Sequence, residues 1–170
     1  MFLCFLFENT LIAFYSTLIL LYTKGMKLYQ EELMDHYRNP RNFGMLESPD
    51  FSSKEHNPSC GDSVTFCGVI CEGGIAALAF EGKGCVISLG VASMLSDFCK
   101  QKSVAEVIAL DKEFIVTMLG IPLGPTRLKC ALLPLQALQQ GIAAYDSTRT
   151  DPSSSGDKRP PLRTNGEKYF

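Results

Sequence analysis

The stretch SVTFCGVI, residues 63–70, alternates with a period of two, and this constrains the fold more than any other feature of the chain. Successive side chains of a strand point to opposite faces, which puts Val64, Phe66 and Ile70 on one side and Thr65, Cys67 and Val69 on the other. Glu72-Gly73-Gly74 reads as a hairpin turn and IAALAFEG, residues 75–82, as the returning strand. An antiparallel sheet is expected, with the loop NPSCGDS (57–63) at its edge.

Helical periodicity surrounds this hairpin. LYQEELMDHY, residues 28–37, carries apolar or aromatic side chains at 28, 29, 33, 34 and 37, the pattern of a short amphipathic helix, and Pro40 and Gly44 stop it. Beyond GKGC, residues 88–101 put Leu89, Ala92, Leu95, Phe98 and Cys99 on one helical stripe. Ser103 and Glu106 form a capping-box pair for a short helix through Leu110, and Asp111 caps another that ends near Leu119. GIPLGPTR is a forced loop, and a last helix is expected from Cys130 to Tyr145, with Pro134 tolerable only near its first turn. The class is therefore α+β.

A length of 170 residues suits one domain. We expect an apolar leader over 1–25, a folded domain over 26–145 and a disordered tail over 146–170, where Pro, Ser and Gly leave too little apolar surface to bury. The run Leu11–Tyr22 is short for a membrane span, and no Lys or Arg precedes it as a signal peptide requires. A membrane anchor and translated sequence upstream of a start at Met26 both remain open, and the coherent domain beginning after Met26 favours the second. Sixteen basic and eighteen acidic residues give a net charge of −2, which speaks against nucleic acid as a partner.

Seven cysteines, an odd number, fit a disulfide framework poorly, and a cytoplasmic setting with reduced thiols is expected. Cys60, Cys85 and Cys130 each sit where regular structure begins or ends, and glycines beside Cys60 and Cys85 let backbone approach closely. The gaps of 25 and 45 positions (60 to 85, 85 to 130) exclude a zinc finger or a Cys-x-x-Cys pair. With Asp62 the three offer soft sulfurs and one hard oxygen, a set suited to zinc or to an iron–sulfur cluster. Cys85 and Cys130 are both expected to open helices, where an anionic thiolate is favoured. Arg127 and Lys129 stand ready to offset the negative charge. Cys67, Cys71 and Cys99 read as small buried hydrophobes, and His36 and His56 as ordinary polar residues. Spacing alone leaves both a metal site and three unconnected core cysteines open.

LYQEELMDHYRNPRNFG, NPSCGD, GKGCVIS followed by VAS, and RLKCALLPLQAL occur in this order, and together they resemble the iron–sulfur cluster assembly scaffold family of IscU, SufU and NifU N-terminal proteins. The resemblance runs from about Leu28 to Ala143. It implies a three-stranded antiparallel sheet packed by helices, with Cys60, Asp62, Cys85 and Cys130 as the ligands of a transient [2Fe–2S] cluster or of zinc. It further implies sulfur delivered by a cysteine desulfurase and clusters handed to recipient apoproteins, the role of a scaffold rather than of a conventional enzyme. Cys130, beside a supporting Lys129, is then the candidate sulfur acceptor. Two departures bear on this. Lys129 stands where IscU-type members carry histidine, as in the SufU branch, which keeps a zinc-dependent sulfurtransferase of SufU type as the alternative. LGPTR, residues 123–127, replaces the Leu-Pro-Pro-Val-Lys segment read by an Hsp70-type chaperone, which argues against that partner.

Overall fold

The hairpin is present in the computed structural model of this chain, which describes residues 29–149. Strands β2 (Asp62–Cys71) and β3 (Gly74–Lys83) pair antiparallel from Ser63 opposite Lys83 to Cys71 opposite Gly74, with a bulge at Val69/Ile70. Glu72 and Gly73 have φ of 51° and 76°, the two positive angles of a turn whose twist matches the strands. Val64, Phe66 and Ile70 are buried, as the alternation demands. Cys67 is buried too, because the segment before the sheet covers its face and the Leu46 N–H donates to its Sγ at 3.3 Å. Cys71, at the turn, is exposed, which corrects the reading of it as buried.

A strand that periodicity did not announce, β1 (Phe51–Asn57), pairs with the other side of β2 and completes the order β1-β2-β3. Its sequence FSSKEHN buries only its two ends, so hydrophobic alternation is invisible between them. What holds β1 is the ladder to β2 and the long last helix lying across it.

Among the described residues five helices follow chain order: α1 over residues 29–38, α2 (Val86–Cys99), α3 (Val104–Ile108), α4 (Lys112–Leu119) and α5 (Pro125–Arg149). Helix α5 lies over β1 and β2, α2 lies over β3, and the two helices pack on each other. Phe66, Phe80, Leu95, Leu138 and Ile142 form the centre of the resulting core. The caps are those expected: Ser103 and Glu106 bond reciprocally, and the Asp111 side chain accepts from the Phe114 N–H. Phe98 departs from its stripe and is 41% exposed, its ring tilted against Phe114 at 4.7 Å.

The last helix differs most from expectation. It begins at Pro125, five residues before Cys130, and continues through Arg149, past the start expected for the tail at 146. Proline at its first position is favourable, since that N–H has no helical partner to lose. Pro134 consequently lies well inside the helix rather than in its first turn. Having no N–H, it leaves the carbonyl of Cys130 without its helical donor. Residues 1–25 and the remainder of the tail lie outside the described residues. Among the described residues no helix is long and apolar enough to cross a membrane.

Candidate metal centre

Three segments meet at the end of the sheet where β1 runs into β2. The β1–β2 connection, Pro58 to Gly61, is held by Asn57: its side-chain oxygen accepts the Ser59 N–H at 3.0 Å and its carbonyl accepts the Gly61 N–H at 2.9 Å. Asparagine favours such side-chain-to-backbone turns, and Gly61 takes the left-handed φ of 76° that the tight return requires. Cys60 thereby stands exposed on the loop tip and Asp62 enters β2 with only 4% exposure. The β3–α2 junction supplies Cys85 at the N-cap of α2, with its side chain free of the capping role. The second turn of α5 supplies Cys130, buried at 5% exposure.

Ligand atoms of Cys60, Asp62 and Cys130 lie within 4.8 Å of one another, although the cysteines come from segments 70 positions apart. The two sulfurs are 3.4 Å apart. Cys85 joins at the rim, near enough for its thiol and its N–H to interact with the Asp62 carboxylate, while the Ser88 hydroxyl donates to the Cys85 carbonyl at 3.1 Å and stands 3.7 Å from its Sγ. Burial works to raise the Asp62 carboxyl, but hydrogen bonding from Ser88, Cys85 and Cys60 outweighs it and holds the group below the usual carboxylate range. Even so, Oδ2 is buried and, among the described residues, meets no hydrogen-bond partner at bonding geometry. An orphaned carboxylate oxygen among soft sulfurs is the donor set of a cation site, and it fits zinc or iron.

Cys130 behaves differently from expectation. It is not at a helix N-terminus, because α5 starts at Pro125, so the helix end does not favour its thiolate. Burial first, then the hydrogen bond with Cys60 and the negative charges of Cys85, Asp62 and Cys60, push its thiol far above the ordinary range. Arg127 and Lys129 are exposed, and no ion pair among the described residues joins either to Asp62. Lys129 instead lines a groove of about 360 Å³ beside the site, together with His56, Pro58 and Gln136. His36 lies apart from the site, buried and hydrogen-bonded to the Ser93 hydroxyl at 2.8 Å.

Asn57 and Ser88 belong to the site although periodicity did not single them out. The Asn57 side chain also reaches the Cys130 Sγ at 3.9 Å, so one residue braces both the loop thiol and the helix thiol. The signal available was Asn before Pro in NPSCGDS, a turn-forming pair.

A three-stranded antiparallel sheet backed by helices, with thiols and a carboxylate gathered at one end, defines an α+β protein whose clustered ligand atoms could hold a metal ion. The chain belongs to the family described as the NifU-like N terminal domain, whose model matches residues 28–151. It is 35% identical over 133 residues to the zinc-dependent sulfurtransferase SufU of Bacillus subtilis (strain 168), covering 68% of this chain and 90% of that protein. To the iron–sulfur cluster assembly scaffold protein IscU of Escherichia coli (strain K12) it is 33% identical over 125 residues, covering 71% of this chain and 96% of that one. A solved structure described as an iron–sulfur cluster assembly scaffold protein for the SUF system, from Fervidobacterium islandicum AW-1, superimposes with a TM-score of 0.58 at 25% identity, covering 66% and 94%.

Proposed function

We propose that this protein is an assembly scaffold on which iron and sulfide form a transient cluster held by Cys60, Asp62, Cys85 and Cys130. The convergence of Cys60, Asp62 and Cys130 within 4.8 Å, with the Asp62 Oδ2 unpartnered, is the observation that carries this reading. The cluster, of the [2Fe–2S] type, is cargo rather than a fixed part of the protein. Three thiolates and one carboxylate match iron less tightly than four thiolates, which suits a site that gives up what it holds. A cysteine desulfurase supplies sulfur and apoproteins receive the cluster, in a cytoplasmic setting. Cys60, the exposed thiol, is the better first sulfur acceptor than the buried Cys130. Anaerobic reconstitution with iron, cysteine and a desulfurase should give visible cluster absorption that Cys85→Ser abolishes. A colourless protein under those conditions removes this reading.

A second reading is a zinc-dependent sulfurtransferase that relays persulfide sulfur without building a cluster. The 35% identity to the Bacillus protein of that name favours it, as does Lys129 before the third cysteine. Stoichiometric zinc without acid-labile sulfide, in protein purified without air, selects it over the first.

A further inference from the structure

The arrangement of Cys60 and Cys130 suits chemistry beyond metal holding and sulfur acceptance. One thiol is exposed on a loop tip and the other is buried on a helix, yet their sulfurs are 3.4 Å apart. A disulfide requires a separation of about 2.05 Å, so closing the pair takes a movement of roughly 1.4 Å. Cys60 is the partner placed to move in such a closure, because it precedes Gly61 on a four-residue connection, and among the described residues its N–H and that of Gly61 both bond to the Asn57 carbonyl. Asn57 holds the buried partner from the other side, its amide lying 3.9 Å from the Cys130 Sγ.

We propose that the Cys60–Cys130 pair is a built-in reductant that converts sulfane sulfur arriving on Cys60 into sulfide. The inference rests on the sulfur-accepting reading above and adds the fate of the sulfur. The step is a thiol–persulfide exchange. As its proton passes to the outer sulfur, the Cys130 sulfur attacks the Cys60 Sγ, a bond forms between the two Sγ atoms, and the bond from Cys60 Sγ to the outer sulfur breaks. The outer sulfur takes the electron pair and leaves, with the Cys130 proton and its own, as hydrogen sulfide. It has gained two electrons, and the two cysteine sulfurs have lost them by becoming a disulfide. No outside oxidant or reductant enters this turnover, and a dithiol restores the pair for the next one. Cys85 is left outside the exchange, held at the rim by Ser88 and Asp62. The closed pair would also remove two of the ligands, so sulfide release and metal holding exclude each other until the pair is reduced.

The test uses the full chain, reduced, metal-free and under nitrogen, treated with glutathione persulfide that gel filtration then removes. Wild type should release one sulfide per chain and yield a peptide in which Cys60 and Cys130 are linked, detected by mass spectrometry after digestion. Cys130→Ser should keep a stable persulfide on Cys60 and release no sulfide. Cys60→Ser, a change at an exposed position that covers the case of a misfolded Cys130 variant, should give neither sulfide nor linked peptide. Cys71→Ser, at the exposed turn, should behave as wild type. A link that involves Cys85, or sulfide release unchanged in Cys60→Ser, overturns the proposal. Parallel loading by a desulfurase with cysteine separates the two readings. A persulfide that forms there and persists on wild type defeats the exchange while leaving sulfur acceptance intact. Failure of the desulfurase to load a chain that still closes its disulfide with glutathione persulfide defeats the assigned function alone.

Discussion

Gly84 lies directly against Asp62: a Cβ built at position 84 would stand 2.9 Å from the Asp62 Cγ and 2.5 Å from the Ser88 Oγ. The junction between β3 and α2 is glycine because the carboxylate occupies the volume a side chain needs. Gly84→Ala must displace Asp62, Ser88 or the Cys85 backbone. Residues that orient ligands typically change metal affinity by about ten- to a hundredfold when altered, and a loss in that range is expected here. Zinc competition titration measures it, with circular dichroism confirming that the fold persists. Unchanged affinity would mean that Ser88 or the Cys85 backbone yields and the Asp62 carboxylate keeps its place.

Removing metal should leave the domain folded. Phe66, Phe80, Leu95 and Leu138 are fully buried without help from the site, unlike the centre of a zinc finger, whose core depends on its ion. The far-ultraviolet circular dichroism spectrum should keep its shape after chelation, with a lower Tm. Collapse of the spectrum would identify a structural zinc domain instead.

Gly141, inside α5, carries the opposite of the usual helix prediction. Replacing an interior helical glycine with alanine ordinarily gains about 1 kcal/mol. Here the added Cβ would meet the Phe51 ring at 2.6 Å and the Ser53 Cβ at 3.2 Å, because α5 presses on β1. Overpacking of this kind costs about 1–3 kcal/mol, so Gly141→Ala should lower the urea midpoint. A raised midpoint would show that β1 shifts freely beneath the helix.

The capping box gives a smaller and cleaner effect. The Ser103 hydroxyl accepts the Glu106 N–H at 3.2 Å and the Glu106 carboxylate accepts the Ser103 N–H at 2.9 Å. Ser103→Ala should cost about 1 kcal/mol in denaturant unfolding, leaving metal affinity untouched because α3 supplies none of the four ligand candidates.

Acid should weaken the fold through His36. Its burial, then the charge of Arg41, hold the imidazole below its ordinary value of 6.5, against the opposing pull of Glu32, Asp97 and Asp35. The unfolded chain takes up a proton as pH drops past 6.5, and the folded chain does so only at lower pH. The stability this neutral histidine contributes is complete above that value and is lost as pH falls below it. Urea midpoints measured from pH 8 to 5 should therefore fall more steeply for wild type than for His36→Gln. Equal slopes would assign the acid sensitivity to other groups.

Local chemistry wrote a good part of this fold into the chain. The Val64–Ile70 alternation, the Glu72-Gly73 turn and the Ser103 and Asp111 caps act over a few residues, so each is readable where it stands. The four ligand candidates were legible as residue types beside glycines and turns, and the family pattern tied them together. Strand β1 was not legible, since FSSKEHN owes its place to a ladder with β2 and to Phe51 wedged under Gly141. Nor was the start of α5, because Pro125 serves equally as a loop residue or a first helical position until the helix has a core to lie on. That one difference moved Cys130 from a helix end into a buried turn, and reversed the expected ease of ionising it. Proximity of Cys60 to Cys130 belongs wholly to tertiary structure: contacts across 70 positions arise from packing α5 on the sheet, and no short window of sequence records them.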